Sequence, residues 1–177
     1  RATFTGTSMT VDIDQVGDSN TMAASVAQGN STSFTATTTG DSNTTTLALG
    51  ASGDVANTDF DYAATGDSNT VTFTQGAAAT ATAGNQDIVI AGNSNDLNAT
   101  CEVVGCINNW DVDGDSNDID TTQTGNSDHS ITAEIDGSTN NIDIDQTNST
   151  GSVSDVVVIT STTSNATIDI DQCTSGC

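Results

Sequence analysis

Apolar residues recur at every second position along most of this chain, in short runs that come in pairs around a single glycine. At the fifth, seventh and ninth positions after each glycine stand Met22, Ala24 and Val26; Thr45, Leu47 and Leu49; Val71, Phe73 and Gln75. The series continues with Leu97, Ala99 and Cys101; Ile119, Thr121 and Gln123; Ile142, Ile144 and Gln146. Between them lie mostly Thr, Ser, Asn and Asp. Alternation of period two with β-branched residues predicts a strand that buries one face. A second strand precedes each glycine, with Val11, Ile13 and Gln15, then Phe34, Ala36 and Thr38, then Phe60, Tyr62 and Ala64 pointing the same way. Later copies place Ile88 and Ile90, Trp110 and Val112, and Ile131, Ala133 and Ile135 there, and four of the six aromatic residues fall on this second strand.

The glycines are Gly17, Gly40, Gly66, Gly92, Gly114 and Gly137, spaced by 23, 26, 26, 22 and 23 residues. Four of them open the same string, GDSN, and the others read GNSN and GSTN. A degenerate last copy begins near Thr162 and carries Ile168, Ile170 and Gln172. Such periods mark solenoids, propellers or arrays. The spacing varies between the strands of one repeat, as in GASGDVANT and CEVVGCINN, while the GDSN side stays constant. The pattern therefore predicts an all-β fold: a β-solenoid with two strands per turn and about seven stacked rungs, one domain over residues 1–177, about 34 Å tall. Glycine would supply the positive backbone angles of a tight arc, and Asp and Ser would cap neighbouring amides. The column Asn20, Asn43, Asn69, Asn95, Asn117 and Asn140 would bond from rung to rung. These residues punctuate strands and form no active site.

Composition sharpens the picture. The chain is 33% hydrophobic with a net charge of −23, and Arg1 is its one basic residue. Without a repeat that balance would predict disorder; stacked rungs escape it, because each needs little apolar core. The acidity excludes nucleic acid and anionic membrane surfaces as partners, and no apolar run reaches membrane-spanning length. A start at Arg1 rather than Met predicts a processed chain. The four cysteines form two close pairs, Cys101 with Cys106 and Cys173 with Cys177. Each pair predicts a small disulfide-closed loop and an oxidising compartment; the alternative is a zinc site of four thiolates, for which the spacings are loose.

At QVGDSN, residues 15–20, the repeat resembles the Gln-x-Gly-x-x-Asn core of curlin repeats, the subunits of bacterial curli fibres. Gln75, Gln123, Gln146 and Gln172 stand where a curlin repeat ends its strand. The resemblance implies a secreted fibre subunit whose two-strand turns stack end to end; the expected partner is its own copies, and no cofactor is expected to be required. Strand chemistry points the same way. Neither RATFTG at the start nor TIDIDQ near the end supplies a cap, and an uncapped stack is a template for polymerisation. The expected joint brings Phe4, Val11 and Ile13 of one subunit to Ile168 and Ile170 of the next.

Other functions leave weaker traces. One His and one Arg, with no nucleophile beside a base, exclude an enzyme on composition; His129 is expected at a surface turn. In the last three rungs Asp118 and Asp120, Asp143 and Asp145, and Asp169 and Asp171 stack outward. Such carboxylates suit calcium, or else form a solvated acidic face. Thr-x-Thr pairs suggest an ice-binding plane, yet on the first such face the array lasts two rungs (Thr46, Thr72) before Asn98 and Asp120 break it. Five Asn-x-Ser/Thr sequons, at Asn30, Asn43, Asn98, Asn148 and Asn165, match the number that so much Ser and Thr produces by chance.

Overall fold

The computed structural model describes residues 1–6, 8–30, 32–50, 55–56, 59–76, 85–102, 105–125, 129–148 and 155–174; at 27–30, 55, 56 and 174 it describes backbone alone. Every described regular element is a β-strand: β1 (Ala2–Thr5), β2 (Thr10–Val16), β3 (Ser19–Asn30), β4 (Ser33–Thr39), β5 (Ser42–Leu49), β6 (Val55–Ala56) and β7 (Asp59–Thr65). The series continues with β8 (Ser68–Gln75), β9 (Asn85–Ala91), β10 (Ser94–Cys101), β11 (Ile107–Asp113), β12 (Ser116–Gly125), β13 (Ser130–Asn148) and β14 (Val156–Thr174). All pairings are parallel, and the strands stack as a β-solenoid of about six turns.

Two faces build the stack. On the first, β2, β4, β7, β9 and β11 follow one another and end on the N-terminal halves of β13 and β14. On the second lie β1, β3, β5, β8, β10 and β12, ending on the C-terminal halves of the same two strands. From β3 to β13 the register repeats without slip on the second face: Ser94–Cys101 pairs residue for residue with Ser68–Gln75 and with Ser116–Gln123. Like side chains therefore stack on like, and the alternation seen in the sequence becomes columns running along the axis.

The inward columns make a thin core. Ile88, Ile90, Leu97, Val112, Ile119, Ile131 and Ile135 are wholly buried, and each such side chain contributes roughly 1.5–3 kcal/mol on leaving water. Aromatic rings fill the N-terminal half, where Phe60 lies 4.6 Å from Phe73 and 5.6 Å from Phe34, centroid to centroid. Tyr62 spans the core, its hydroxyl 2.8 Å from Thr38 Oγ1 and 2.7 Å from Thr45 Oγ1. Burial lifts its phenol above the usual range, and the two hydroxyl contacts partly oppose this.

At the GDSN arcs the need for glycine comes from stacking rather than from backbone angle. Only Gly17 and Gly40 among these glycines have positive φ, and at 157° and 156° both are close to extended. A Cβ at Gly40 would overlap the carbonyl oxygen of Gly17; the same holds at Gly66, Gly92, Gly114 and Gly137, each against the glycine one turn below. A side chain there would push the turns apart.

Candidate functional site

Three features carry the chemistry of this surface: the asparagine column under the arcs, the acidic outward columns, and the strands at the two ends.

Each asparagine Nδ2 donates to the Oδ1 of the next, from Asn20 to Asn43, Asn69, Asn95, Asn117 and Asn140, at 2.9–3.0 Å. The same nitrogens also reach the carbonyls of Thr39, Thr65, Ala91, Asp113 and Asp136 one turn on, at 2.8–3.2 Å. The arc glycines and the asparagines are thus brought together as one spine, buried from Asn43 onward. It stops at Asn140, whose neighbour in the last turn is Ala166, and there the amide turns to Ser161 Oγ at 3.2 Å. A glutamine column closes the second face, with Gln146 Nε2 donating to Gln123 at 2.7 Å and Gln172 to Gln146 at 2.6 Å. In the folded chain two of the five sequon asparagines, Asn43 and Asn148, are buried, at 2% and 1% exposure.

Of the six aspartates expected on the last rungs, Asp120, Asp143 and Asp169 stack in one outward column and Asp145 on Asp171 in the next. Asp118 lies between Asp96 and Asn141, whose amide donates to it at 2.8 Å. Partial burial, then repulsion from Asp118, Asp143 and Asp96, lifts the carboxyl of Asp120 above the usual range. Asp145 is lifted by partial burial, then by Asp143, Asp171 and Asp169; Asp96 likewise, with Asp118 as the second cause.

A tighter acidic group lies on the first face. Asp59, Asp61 and Asp87 bring carboxylate oxygens within 4.8 Å of one another. Asn109 Nδ2 donates to Asp87 at 2.7 Å and Asn85 Nδ2 at 3.0 Å, so amides occupy part of the cluster. The signal for this trio lies in the outward positions of the strands before each glycine, where Asp61 stacks on Asp87 beside Asp59. Polar inward residues escaped for a similar reason: Gln86 and Asn108 occupy the column of Phe34 and Phe60 and are 1% exposed. Gln86 donates to Gln75 at 2.5 Å across the core.

His129 is buried at 1% exposure, not at the surface turn its neighbours in sequence suggested. Its Nδ1 accepts from the Cys106 backbone amide at 3.2 Å, and its own amide donates to Asp155 Oδ1 at 3.0 Å. The parallel register explains this: His129 continues a column between Cys106 and Asp155 on the edge opposite the arcs. Cys101 and Cys106 form a disulfide on that edge. Cys173 is disulfide-bonded as well, while Cys177, its expected partner, lies outside the described residues.

The last strand presents an open row. Ile168 and Ile170 are 45% and 41% exposed, against 1% and 0% for Ile142 and Ile144 in the same columns one turn inward. Val156 and Val158 add outward apolar surface. At the other end, Phe4 and Ile13 are only partly buried. The registers separate residues that were expected to meet. Ile168 and Ile170 belong to the columns of Met22 and Ala24 on the second face, whereas Val11 and Ile13 share columns with Val157 and Ile159 on the first. No helix among the described residues is long and apolar enough to cross a membrane. No family model matches the chain, and neither a curated protein nor a solved structure does.

Proposed function

We propose that this chain is a structural subunit of an extracellular filament, a two-strand-per-turn solenoid of about seven rungs that joins its copies head to tail. The observation that carries the reading is the open last strand, whose backbone edge and half-exposed Ile168 and Ile170 repeat the pattern of every turn beneath it. A parallel strand with matching inward residues is what such an edge accepts, and the end turns of another copy carry that pattern. The joint is heterologous and does not close on itself, so it generates a fibre of unlimited length. The resemblance of QVGDSN to curlin repeats agrees with this, and the Cys101–Cys106 disulfide suits export.

The outward acids set the conditions. Repulsion between stacked carboxylates opposes growth at neutral pH and low salt, so salt, acid or calcium bridging the columns of Asp118, Asp120, Asp143, Asp145, Asp169 and Asp171 accelerates it. The test is negative-stain microscopy of purified protein, which should show unbranched filaments. Proline in place of Ile168 or Ile170 removes a ladder donor and should stop growth while the middle turns keep their strand signal. A wild type that stays monomeric at high concentration overturns the filament, and thermal hysteresis then tests the threonine pairs against ice.

A further inference from the structure

Two adjoining troughs run along the first face and share Asp87 and Val89 where they meet. One, of about 200 Å³, reaches down to Thr35 and Thr37; the other, of about 340 Å³, reaches up to Thr132 and Thr160. Both lie between the same two outward columns, so they form one continuous groove along the stack. The groove is complete within one chain, whether or not copies join into a filament.

Four successive strands of this face, β7, β9, β11 and β13, each place one carboxylate on the groove: Asp61, Asp87, Asp111 and Glu134. Asp61 and Asp87 stand on one wall, Asp111 and Glu134 on the other. The result is one negative charge per turn, in steps of about 4.8 Å along the axis. Asn85 and Asn109 donate to Asp87 at 3.0 and 2.7 Å, which fixes that carboxylate without cancelling its charge. No lining residue is basic, and Arg1 leads into β1 on the second face. Between the charges, Ala63 and the 47% exposed Val89 offer carbon surface.

The floor decides which kind of cation fits. It is the main chain of Tyr62, Ile88 and Trp110, whose side chains turn into the core. β7, β9 and β11 are each paired along both edges, so their N–H and C=O groups are already used. A peptide laid in the groove would press its own amides against carbon without partners, which is costly. An alkyl chain makes no such demand. A second copy of these residues would bring carboxylates to carboxylates.

We propose that this groove binds a linear aliphatic polyamine, its methylenes over Ala63 and Val89 and its ammonium groups donating to Asp61, Asp87, Asp111 and Glu134. Three methylenes between two nitrogens span about 5 Å, close to the rise of one turn. Spermine therefore follows the carboxylates turn by turn.

Equilibrium dialysis of labelled spermine at about 0.15 M salt tests the site. Each exposed ion pair is weak alone, so spermine, with four nitrogens, should bind at least about tenfold more tightly than putrescine, with two. A chain of net charge −23 also attracts any polycation, and paired variants separate the two effects. Asp61→Asn with Asp111→Asn takes two charges from the groove; Asp145→Asn with Asp171→Asn takes two from the second face. The first pair should weaken spermine binding at least about tenfold, the second less than about twofold. Val89→Lys lays a tethered ammonium in the groove and should weaken spermine binding as the first pair does. Thr74→Lys, which puts the same charge on the second face, should leave it within about twofold. Equal losses from groove and second-face variants, or binding that does not saturate, would mean a counterion atmosphere only and overturn the site. Dialysis reads monomer and filament alike, so that result leaves the filament standing, and a chain that never assembles leaves this test intact.

Discussion

At the scale of single residues, repetition turns small side chains into structural necessities. Gly92 meets the Gly66 carbonyl oxygen so closely that a methyl group has no room. Gly92→Ala should therefore cost about 3 kcal/mol, the upper range for overpacking against backbone. Gly6→Ala meets only the flexible end of Met9, at 3.0 Å, and should stay within about 0.5 kcal/mol of wild type. Urea unfolding of the two variants measures the contrast, and equal losses would show that the arcs do not depend on close stacking. Asn69→Ala belongs beside Gly92: it strands Asn95 Oδ1 without its donor and leaves the Ala91 carbonyl with the Gly66 amide alone of its two donors. The column of asparagines was legible in the sequence because the string recurs. The reason for the glycine was not, since a close approach between residues 26 apart in sequence is visible only once the register is known.

At the scale of the element, alternation told inside from outside on nearly every strand, yet it hid residues whose chemistry disagreed with their place. Gln86 and Asn108 stand at inward positions but are polar, and His129 stands in a stretch where no alternation is visible. A strand's polarity pattern also says nothing about which charges its neighbours bring. The carboxyls of Asp61, Asp96, Asp113, Asp120 and Asp145 are all raised above the ordinary 3.8, first by partial burial and then by aspartates of the same strand and of neighbouring turns. A carboxyl raised in the folded state destabilises the fold when ionised. The penalty is full above the raised values, falls as pH drops through them, and is gone below 3.8. Stability in low salt should accordingly rise as pH falls from 7 toward 4. Asp120→Asn should stabilise by about 0.2–1 kcal/mol at pH 7, the range for cross-strand charge pairs, and by less at pH 4. A wild-type urea midpoint that falls over this interval contradicts the account.

At the scale of the whole molecule, each described turn pairs with the turn above and the turn below, as β14 on β13 illustrates in one long parallel ladder. The arrangement has a mechanical meaning. A stack held only by nearest neighbours has no interlocking tertiary bolt, so tension applied at the C-terminal end meets one ladder at a time. Pulled with an optical trap or a cantilever, the molecule should lengthen as a staircase, β14 peeling first and each release exposing the next edge to the same load. A repeat of 22 to 26 residues frees roughly 80 Å of contour. The step containing Cys101–Cys106 should be shorter by about 10 Å, because the disulfide holds two Cα atoms 6.4 Å apart across a sequence separation of 5, and reductant should restore it. One long rupture in place of a staircase would mean that the turns yield together. A peeling stack dissipates work at every step and can zip back when the load drops, so a thread made of such turns would behave under strain as a spool that pays out and rewinds.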